Sequence, residues 1–539
     1  MSGSGERYVL AIDLGTTSLK VALVSTTGRI AGAATEPQHV TLLEGGGAEQ
    51  DPEEWWRSVV RATRRVLEET GVAPATVIAV NASVQWSGTV AVDAGGRPLA
   101  PAIIWMDSRG APQAKRLTDG FPRIEGYGAA KLFRWIRKTG GAPTHSGKDP
   151  ISHILYLREA NPELYRATAT FLEPKDWLNL RLTGRCVSTF DSITLHWVTD
   201  TRDVGRIHYD ERLLRMAGLE RSKLPDLVPA ATVLGTLTEQ TATELGLPAS
   251  VRVVSGAPDL PAAAIGSGAV RDFDAHLCIG TSSWLVCHVP YKKTDLFHNM
   301  ASLPASIPGR YLLTTEQESA GVCLTYLKEK VFFPNDELAE GGGPDDPYAA
   351  FDRLAATVPP GSDRLVFLPW LHGERTPVDD STIRGGFFNQ SLETTRAHMV
   401  RAVMEGVAFN SRWLLVYVEK FIKRRLDAIT MIGGGAKSDL WCQIHADVLD
   451  RPIRQVEQPV LSGTRGAAFQ ALLALGELTV EDIPALVPIA RTYQPDPANR
   501  ATYDELFGVF RDLYKRTRPL AAKLNAPARA GALPEGARR

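Results

Sequence analysis

The sequence predicts an α/β protein built from two similar domains with a ligand cleft between them. The segment YVLAIDLGTTSLKVALV begins at Tyr8. It contains an apolar run, then a Gly-Thr turn with a further hydroxyl residue, and then a second apolar run. A shorter copy, HLCIGTSSWLVCHV, begins at His276. Segments with strand and helix periodicity follow each copy, and a repeat of such long period indicates two related units that face each other. The cleft between such units is the natural ligand site.

Length and composition set the first limits on function. A chain of 539 residues exceeds one compact core, so at least two domains are expected. Its 60 Lys and Arg nearly balance its 61 Asp and Glu, which removes the electrostatic reason to expect nucleic acid or an anionic membrane as partner. Residues 1–7 contain no secretory signal and no apolar run has membrane length, so we expect a cytoplasmic protein that binds small molecules. Five cysteines without Cys-x-x-Cys spacing indicate buried reduced thiols.

The first elements are an antiparallel meander and a helix. Residues 9–12, 19–24 and roughly 29–35 are Val-, Ile-, Leu- and Ala-rich strands joined by tight turns. The segment EQDPEEWWRSVVRATRRVLEE follows, with Asp51 as N-cap, Glu54 at the capping-box position and apolar residues at helical spacing. This pattern predicts an amphipathic helix that packs on the sheet.

The rest of the chain continues this alternation. TVIAVNASV and GTVAVD are strands, whereas residues 121–148 indicate a surface insertion or a basic amphipathic helix. We place the boundary between an N-terminal domain, 1–254, and a C-terminal domain, 255–524, near Val254. The second domain contains a long helix in RAHMVRAVMEGVAFNSRWLLVYVEKF and a strand, glycine turn and helix in DAITMIGGGAKSDLWCQIHADVL. Residues 525–539 have little to bury, which predicts a disordered tail.

The two Gly-Thr turns are candidate phosphate sites. Such a turn points backbone N–H groups and hydroxyls in one direction, which suits an anion. A single turn is weak evidence, because most are simple hairpin turns, but the duplication favours two turns that hold one polyphosphate from both sides. The candidate residues are Gly15, Thr16 and Thr17 in the first turn, and Gly280, Thr281 and Ser282 in the second.

Only the first copy carries an acid, Asp13, ahead of its glycine. A carboxylate beside bound phosphates repels them unless a cation intervenes, so this position predicts Mg²⁺ held through water by Asp13 and the phosphate oxygens. The alternative is a capped turn, which we disfavour because the second copy makes the same turn without an acid. Lys20, on the outgoing strand, either reaches the phosphates as a point charge or faces solvent.

Ten segments in a fixed order carry a resemblance to a known family. They are AIDLGTTSLKVALV, EQDPEEWW, AIIWMDSR, LEPKDWLNLRLTG, VSGAPDLPAAAIG, CIGTSSWLV, FLPWLHGERTP, RGGFF, AVMEGVAF and IGGGAKSDLWCQIHADVL. Together they cover nearly the whole chain, and they resemble the FGGY carbohydrate kinase family, most of all its xylulokinases. P-loop, Rossmann and nucleophile-elbow signatures do not occur.

The resemblance implies two ribonuclease H-like domains of the actin-type ATPase architecture, closing over ATP with Mg²⁺ and a sugar or polyol. It implies that Asp259, in GAPDL, is the general base, although the same residue would suit a turn before Pro261. It also implies adenosine contacts from Gly434, Gly435, Ala436 and Asp439, and sugar contacts from Gln85, Trp86, Ser87, Trp105, Asp107, Asp259 and Trp284. For Trp284, a place in the core is the alternative.

Departures from the xylulokinase pattern bear on the acceptor. Xylulokinases usually carry Gln-Met-His-Gly where this chain has QWSG, and Asn where it has Leu260. Trp86 and Ser87 would reshape the pocket, and Leu260 removes one polar contact. These exchanges predict an acceptor among ketoses and polyols that need not be xylulose.

Two other classes of function remain open at this point. An actin-like ATPase, acting as chaperone or in a filament, shares the duplicated turns but needs neither Asp259 nor a sugar pocket around Trp105. A degenerate sugar-binding regulator would explain the altered QWSG stretch. A homodimer is an assembly that we leave open, and we interpret Arg375 as the partner of a neighbouring acid.

Overall fold

Two mixed β-sheets, one from each half of the chain, form the framework of the protein. In the computed structural model, residues 5–337 and 343–525 are described, so nearly all of the tail predicted for 525–539 lies outside these residues. The first sheet has seven strands, in the order Val233–Thr236, Arg252–Val254, Val77–Val84, Tyr8–Leu14, Ser18–Ser25 and Ile30–Pro37, with Ala257–Pro258 also pairing with Val77–Val84. The predicted meander is therefore confirmed as its last three strands.

The second sheet has eight strands and repeats the central pattern of the first. Its order is Thr294–Asp295, Met300–Pro304, Tyr311–Thr314, Ser283–Val289, Ala275–Ile279, Ile429–Ile432, Ile453–Val456 and Ile489–Tyr493. In both sheets a Gly-Thr hairpin joins two antiparallel strands, and the first of these strands pairs in parallel with a later one. The repeat in the sequence is thus a repeat of strand topology.

Smaller sheets flank the two main ones. Three strands, Thr41–Leu43, Gly47–Gln50 and Ala102–Ile103, form one of them. The others are pairs: Arg123–Ile124 with Tyr127–Gly128, Val90–Val92 with Thr170–Leu172, Val187–Thr189 with Asp226–Val228, Thr199–Asp200 with His208–Tyr209, and Val366–Leu368 with Gly386–Phe388.

Helices cover the sheets and connect their strands. Those of the first half are Pro52–Thr70, Ala111–Thr118, Ala129–Thr139, Pro150–Ala160, Pro162–Ala167, Pro174–Thr183, Glu211–Ala217, Glu239–Leu245 and Asp259–Gly266. Those of the second half are Gly321–Tyr326, Pro347–Ala355, Arg396–Ile422, Asp439–Leu449, Ser462–Leu475, Ile483–Leu486 and Arg500–Asn525. Among the described residues, no helix is long and apolar enough to span a membrane.

A shared apolar core joins the two halves. It contains Val9 and Ala11 of the first sheet, Ile432 of the second, and residues of the helices Asp259–Gly266 and Ser462–Leu475. These two helices touch backbone to backbone, because a Cβ built at Gly466 would lie only 1.8 Å from the Ala262 carbonyl oxygen. The helix that begins at Asp259 is therefore held firmly against the other half of the chain.

Some local predictions need correction. Asp51 caps the helix Pro52–Thr70 through the Glu53 N–H, but Glu54 does not complete a capping box because its carboxylate bonds to Arg57 and Arg61, one and two turns further along. The 121–148 segment contains the helix Ala129–Thr139, whose Trp135 is fully buried in a core cluster. One face of this helix is thus buried, whereas Phe121 and Phe133 of the same segment are exposed, so the basic amphipathic helix is confirmed at the surface of the fold. The five cysteines are free, but Cys186 is exposed whereas the other four are buried.

Candidate active site

Three segments end at the same edge of the first sheet. Leu14 and Pro258 both pair in parallel with Val84. The residues that follow these three positions therefore meet at one edge, where the chain leaves the parallel strands and where open α/β sheets usually bind ligands. They are the first Gly-Thr turn (residues 15–17), the sugar stretch (residues 85–87) and Asp259.

The second sheet presents two turns in the same way. Cys278 pairs in parallel with Ile432, which places the second Gly-Thr turn (residues 280–282) beside the glycine turn (residues 433–436). The carbonyl oxygen of Gly280 accepts the Gly321 N–H at 2.8 Å, which fixes the second Gly-Thr turn from behind. Gly433 has φ 86°, and a Cβ there would lie 2.6 Å from a carbonyl oxygen, so only glycine fits.

Residues of both halves meet around Asp13 and Asp259. Burial raises the pKa of the Cys278 thiol, at the end of its strand in the second sheet, and the negative charges of Asp259 and Asp13 raise it further. From the helix Ser462–Leu475, a Cβ at Gly463 would lie 2.9 Å from Asp13 Oδ1. The edges of the two sheets therefore face each other, with both carboxylates between them.

Asp259 is the first residue of its helix, and its Oδ1 accepts the Leu260 N–H at 2.8 Å. Burial raises its pKa to about 7, the nearby charges of Asp13 and Glu316 act in the same direction, and the Leu260 N–H opposes them. A carboxyl group with this pKa exchanges a proton near neutral pH, as a general base must.

Asp13 faces Lys20 across the first hairpin. The two residues are cross-strand partners, and Lys20 Nζ lies 3.3 Å from Asp13 Oδ2. Lys20 is thus paired with Asp13 rather than free in solvent, and its contact with the phosphates stays a prediction. This pair offsets only part of the negative charge that Asp13 and Asp259 bring together.

The residues at this place fit Mg²⁺ bound mainly through water. Within residues 5–337 and 343–525, no group of three or more His, Cys, Asp or Glu could hold a metal. An ion here would therefore take few protein ligands, and carboxylate oxygen with water and phosphate oxygen is the donor set that Mg²⁺ prefers. Two carboxylates with one lysine leave a net negative charge for such an ion to neutralise.

A ring of hydrogen bonds ties the first Gly-Thr turn to the sugar stretch. The Thr16 hydroxyl accepts the Trp105 indole N–H at 2.8 Å and donates to Gln85 Oε1 at 3.1 Å. Gln85 Nε2 donates to Gln50 Oε1 at 2.6 Å, and Gln50 Nε2 returns to the Thr16 carbonyl oxygen at 2.8 Å. The turn and the sugar stretch thus form one rigid unit. Sequence analysis missed Gln50, for which no local motif gave a signal.

The sugar stretch is also pinned from its other side. Ser87 has φ 65°, and its hydroxyl donates to the Lys148 carbonyl oxygen at 2.8 Å. The half-buried Trp86 donates its indole N–H to the Ser192 carbonyl oxygen at 2.9 Å. The next residue, Gly88, donates its N–H to the buried carboxyl of Glu173 at 3.0 Å. The backbone of this stretch is therefore fixed before any ligand arrives.

Asp107 is fully buried and bonded within the protein. Its Oδ2 accepts the Ala48 N–H at 2.9 Å and Arg109 Nε at 2.8 Å, and Arg109 also pairs with Glu49 at 2.5 Å. These bonds tie the segment that carries Trp105 to the small three-stranded sheet.

Trp284 lies between the core and the cleft. Its side chain is half-buried and packs on the same small cluster as Leu260, the neighbour of Asp259. Its indole N–H donates to His276 Nε2 at 3.0 Å. The ring contacts the core, as the alternative interpretation expected, and a contact of Trp284 with the sugar stays a prediction.

The glycine turn is held by Gln455. Gln455 Nε2 donates to the Ala436 carbonyl oxygen at 2.8 Å and to Asp439 Oδ1 at 3.1 Å. The Asp439 side chain is 68% exposed and lies 4.0 Å from Arg491. A Cβ built at Gly434 would meet nothing within 4 Å, so this side of the turn is open to a ligand.

A cluster of charges across the cleft was mostly missed from the sequence. Arg375 pairs with Glu316 and, at 2.8 Å, with Glu318, which confirms that it is the partner of neighbouring acids. The Lys148 ammonium lies 5.8 Å from the centre of the Trp105 ring. The acids and the arginine stand in the charged segments TTEQES and LHGERTP, which could have indicated them. Lys148 lies in a segment whose sequence indicated only a loop.

Comparison with known proteins places these features in a family. Models of the N-terminal and C-terminal domains of the FGGY family of carbohydrate kinases match residues 8–266 and 275–475. A xylulose kinase of Staphylococcus epidermidis is 30% identical over 96% of this chain and 99% of its own length. A gluconokinase of Bacillus subtilis is 26% identical over 94% of this chain and 95% of its own.

A solved structure gives the same result. The crystal structure of a xylulose kinase from Rhodospirillum rubrum superposes with a TM-score of 0.79 at 27% identity, covering 96% of this chain and all of the other. The architecture is thus the ribonuclease H-like, actin-type fold that the sequence predicted. This chain belongs to the FGGY family of carbohydrate kinases and is a sugar kinase.

Proposed function

We propose that this kinase transfers the γ-phosphoryl group of ATP to a hydroxyl of a ketose or polyol, with Asp259 as the general base. The observation that supports it most is the position of Asp259, which follows a strand paired in parallel beside the sugar stretch and faces Asp13. Its carboxyl group is thus close to both the proposed acceptor site and the proposed phosphate site.

Asp259 orients the acceptor hydroxyl and takes its proton. As that oxygen bonds to phosphorus its proton becomes acidic, and a carboxylate within hydrogen-bond reach accepts it. Burial and the charges of Asp13 and Glu316 keep the pKa of Asp259 near 7, so the group is basic enough to accept the proton, and about half of it is ionised at neutral pH.

The two Gly-Thr turns hold the polyphosphate from opposite sides, and Asp13 holds Mg²⁺ through water. When bound, the metal supplies neutralisation of the charge on the phosphate oxygens. The turns supply backbone N–H groups, and Lys20 stays beside Asp13 as a fixed positive charge. The glycine turn, with Gly434 open to solvent, contacts the nucleoside.

Exclusion of water follows from the placement of these groups in a cleft. Water is a competing acceptor, and closing the two domains over the substrates removes it. The hydrogen-bonded ring of Thr16, Gln85 and Gln50 keeps the phosphate site and the sugar site in fixed relation during this motion.

The experiment is a screen for acceptor-dependent ADP release. Wild-type protein is given ATP, Mg²⁺ and single ketoses or polyols, and Asp259→Asn is assayed beside it. We expect ADP release to rise with at least one acceptor, and the variant to lose roughly 10²–10⁴-fold in kcat while it still binds nucleotide. Comparable transfer by the variant would remove Asp259 from the mechanism.

The same screen separates the other two classes of function. An actin-like ATPase would hydrolyse ATP without a response to any sugar, and a sugar-binding regulator would show no turnover in any condition. Either result would overturn the proposal.

A further inference from the structure

Lys148 is half-buried, and its ammonium group makes no hydrogen bond or ion pair within the part of the chain that the structure describes. The segment before it is fixed, because Asp149 Oδ2 accepts the Thr144 hydroxyl at 2.8 Å and the Lys148 carbonyl oxygen accepts the Ser87 hydroxyl. Within residues 5–337 and 343–525, Lys148 Nζ makes no hydrogen bond or ion pair to any side chain or carbonyl oxygen. An ammonium has three N–H donors, and those of the half-buried Lys148 are available to a ligand.

The surroundings of this ammonium are those of the acceptor site. It lies over the ring of Trp105, whose indole N–H bonds to the first Gly-Thr turn. Glu316 interacts electrostatically with both Lys148 and Asp259, so the three groups lie near one another. Burial lowers the pKa of Lys148, with Glu316 and Glu318 opposing the shift and Arg375 adding to it.

We propose that Lys148 is a specificity-determining residue that donates hydrogen bonds to an oxygen of the acceptor. This inference rests on the proposed function, since it names a group that binds the substrate of that reaction. An ammonium over an aromatic ring, with a carboxylate near by, offers donors and an acceptor to adjacent hydroxyl or carbonyl oxygens. A hydrogen bond from a charged donor is stronger than one between neutral groups.

The charges around Lys148 select a neutral acceptor. Glu316 and Glu318 already balance Lys148 and Arg375, and the carboxyl group of Asp379 faces Arg375 as well. A sugar acid would add a carboxylate beside three carboxyl groups that already face only these two cations, so its repulsion and desolvation there are unfavourable. We therefore assign a ketose or polyol, and not an aldonate, to this site.

The test compares Lys148→Met with Lys148→Arg. The acceptors are a five-carbon ketose, the corresponding polyol and the corresponding aldonate, and the KM for ATP and the melting temperature are measured in parallel. For the best neutral acceptor we expect Lys148→Met to raise KM by roughly 10-fold or more, with a much smaller effect on kcat. Lys148→Arg, which keeps the donors and the charge, restores most of the affinity.

Control measurements separate a binding role from a structural one. Lys515→Met removes a lysine that is exposed and paired only with Asp512, so it leaves every parameter unchanged. For Lys148→Met, we expect the KM for ATP and the melting temperature to stay at the wild-type values. A loss of both, or a Lys148→Met enzyme with an unchanged KM for its acceptor, would overturn the assignment.

The aldonate arm tests the charge argument by itself. Wild-type enzyme should use the aldonate at least 10-fold less efficiently than the neutral acceptors, in kcat/KM. A preference for the aldonate that Lys148→Met abolishes would show that Lys148 is the counter-ion of a sugar acid, and the neutral-acceptor inference would fail. If no acceptor of any class is phosphorylated by the wild-type protein, the proposed function itself fails.

Discussion

A single carboxyl group, Asp259, links the stability of this protein to its proposed chemistry. Its pKa in the fold is about 7 against an ordinary value of 3.8, because it is buried near Asp13 and Glu316. The folded state therefore favours the neutral form. Below about pH 3 the folded and unfolded chains both carry the neutral form, so the site has no effect on stability. Between about pH 4 and 7 the unfolded chain is ionised and the folded one is not, so the cost to the folded state grows, and above pH 7 it is largest.

We expect Asp259→Asn to stabilise the ligand-free protein at high pH. The gain over wild type should be near zero at about pH 3, grow between about pH 4 and 7, and reach on the order of 4 kcal/mol by pH 8, at about 1.4 kcal/mol for each unit of pKa shift. Chemical denaturation of both proteins across this pH range measures the gain in the free energy of unfolding. A gain that is constant with pH, or that is largest at pH 4, would contradict the raised pKa.

Asp13 is expected to govern the dependence on Mg²⁺. With only Lys20 as its partner, Asp13 is available to a metal, and Asp13→Ala should raise the Mg²⁺ concentration for half-maximal turnover by roughly 10-fold. Asp512→Ala, which removes an exposed aspartate of a surface pair, serves as the control. An unchanged Mg²⁺ titration for Asp13→Ala would refute the role of this residue.

The crossing of two helices keeps Asp259 against the other half of the chain. Gly466 of the helix Ser462–Leu475 touches the Ala262 carbonyl oxygen of the helix Asp259–Gly266, so any side chain there must push the helices apart. Overpacking of this kind typically costs 1–3 kcal/mol or more. Gly508, in the helix Arg500–Asn525, has open space around its Cα instead.

This contrast gives a matched pair of substitutions. Gly466→Ala should lower the free energy of unfolding by about 2 kcal/mol or more and reduce turnover, because Asp259 moves with its helix. Gly508→Ala should raise stability by up to about 1 kcal/mol through helix propensity alone. Thermal unfolding and steady-state kinetics of both variants test these expected changes in stability and turnover. Equal effects of the two substitutions would mean that the helix crossing is not tight.

Elements with local signals could be predicted from the sequence, and contacts between distant segments could not. The strands around the first Gly-Thr turn and the helix Pro52–Thr70 followed from hydrophobic period and an N-cap. The bond between Gln50 and Gln85 joins a small sheet to a main one. The QWSG stretch marked Gln85 as a candidate, but nothing in EQDPEEWW indicates that Gln50 contacts it. The proposed role of Lys148 likewise depends on side chains that are distant in the sequence, so the segment around Lys148 does not indicate it.

At the level of the whole molecule, the duplicated topology explains why the sequence around the first Gly-Thr turn has a copy around the second. In each half, the parallel strands of the main sheet end beside a Gly-Thr turn. The shared core brings the two sheet edges that carry these turns face to face. The halves differ where the chemistry is asymmetric, since only the first carries Asp13. The domain boundary near Val254 stays a prediction, as do the cytoplasmic location and a homodimer.

The central claim is that both Gly-Thr turns hold one polyphosphate and that Asp259 points at its outermost phosphorus. A crystal structure with a non-hydrolysable ATP analogue, Mg²⁺ and the best acceptor tests it most directly. We predict phosphate oxygens bonded to the backbone of residues 15–17 and of residues 280–282, with Asp259 in hydrogen-bond contact with the acceptor hydroxyl. Phosphates that touch only one turn, or an Asp259 carboxyl turned away from the acceptor, would contradict the account.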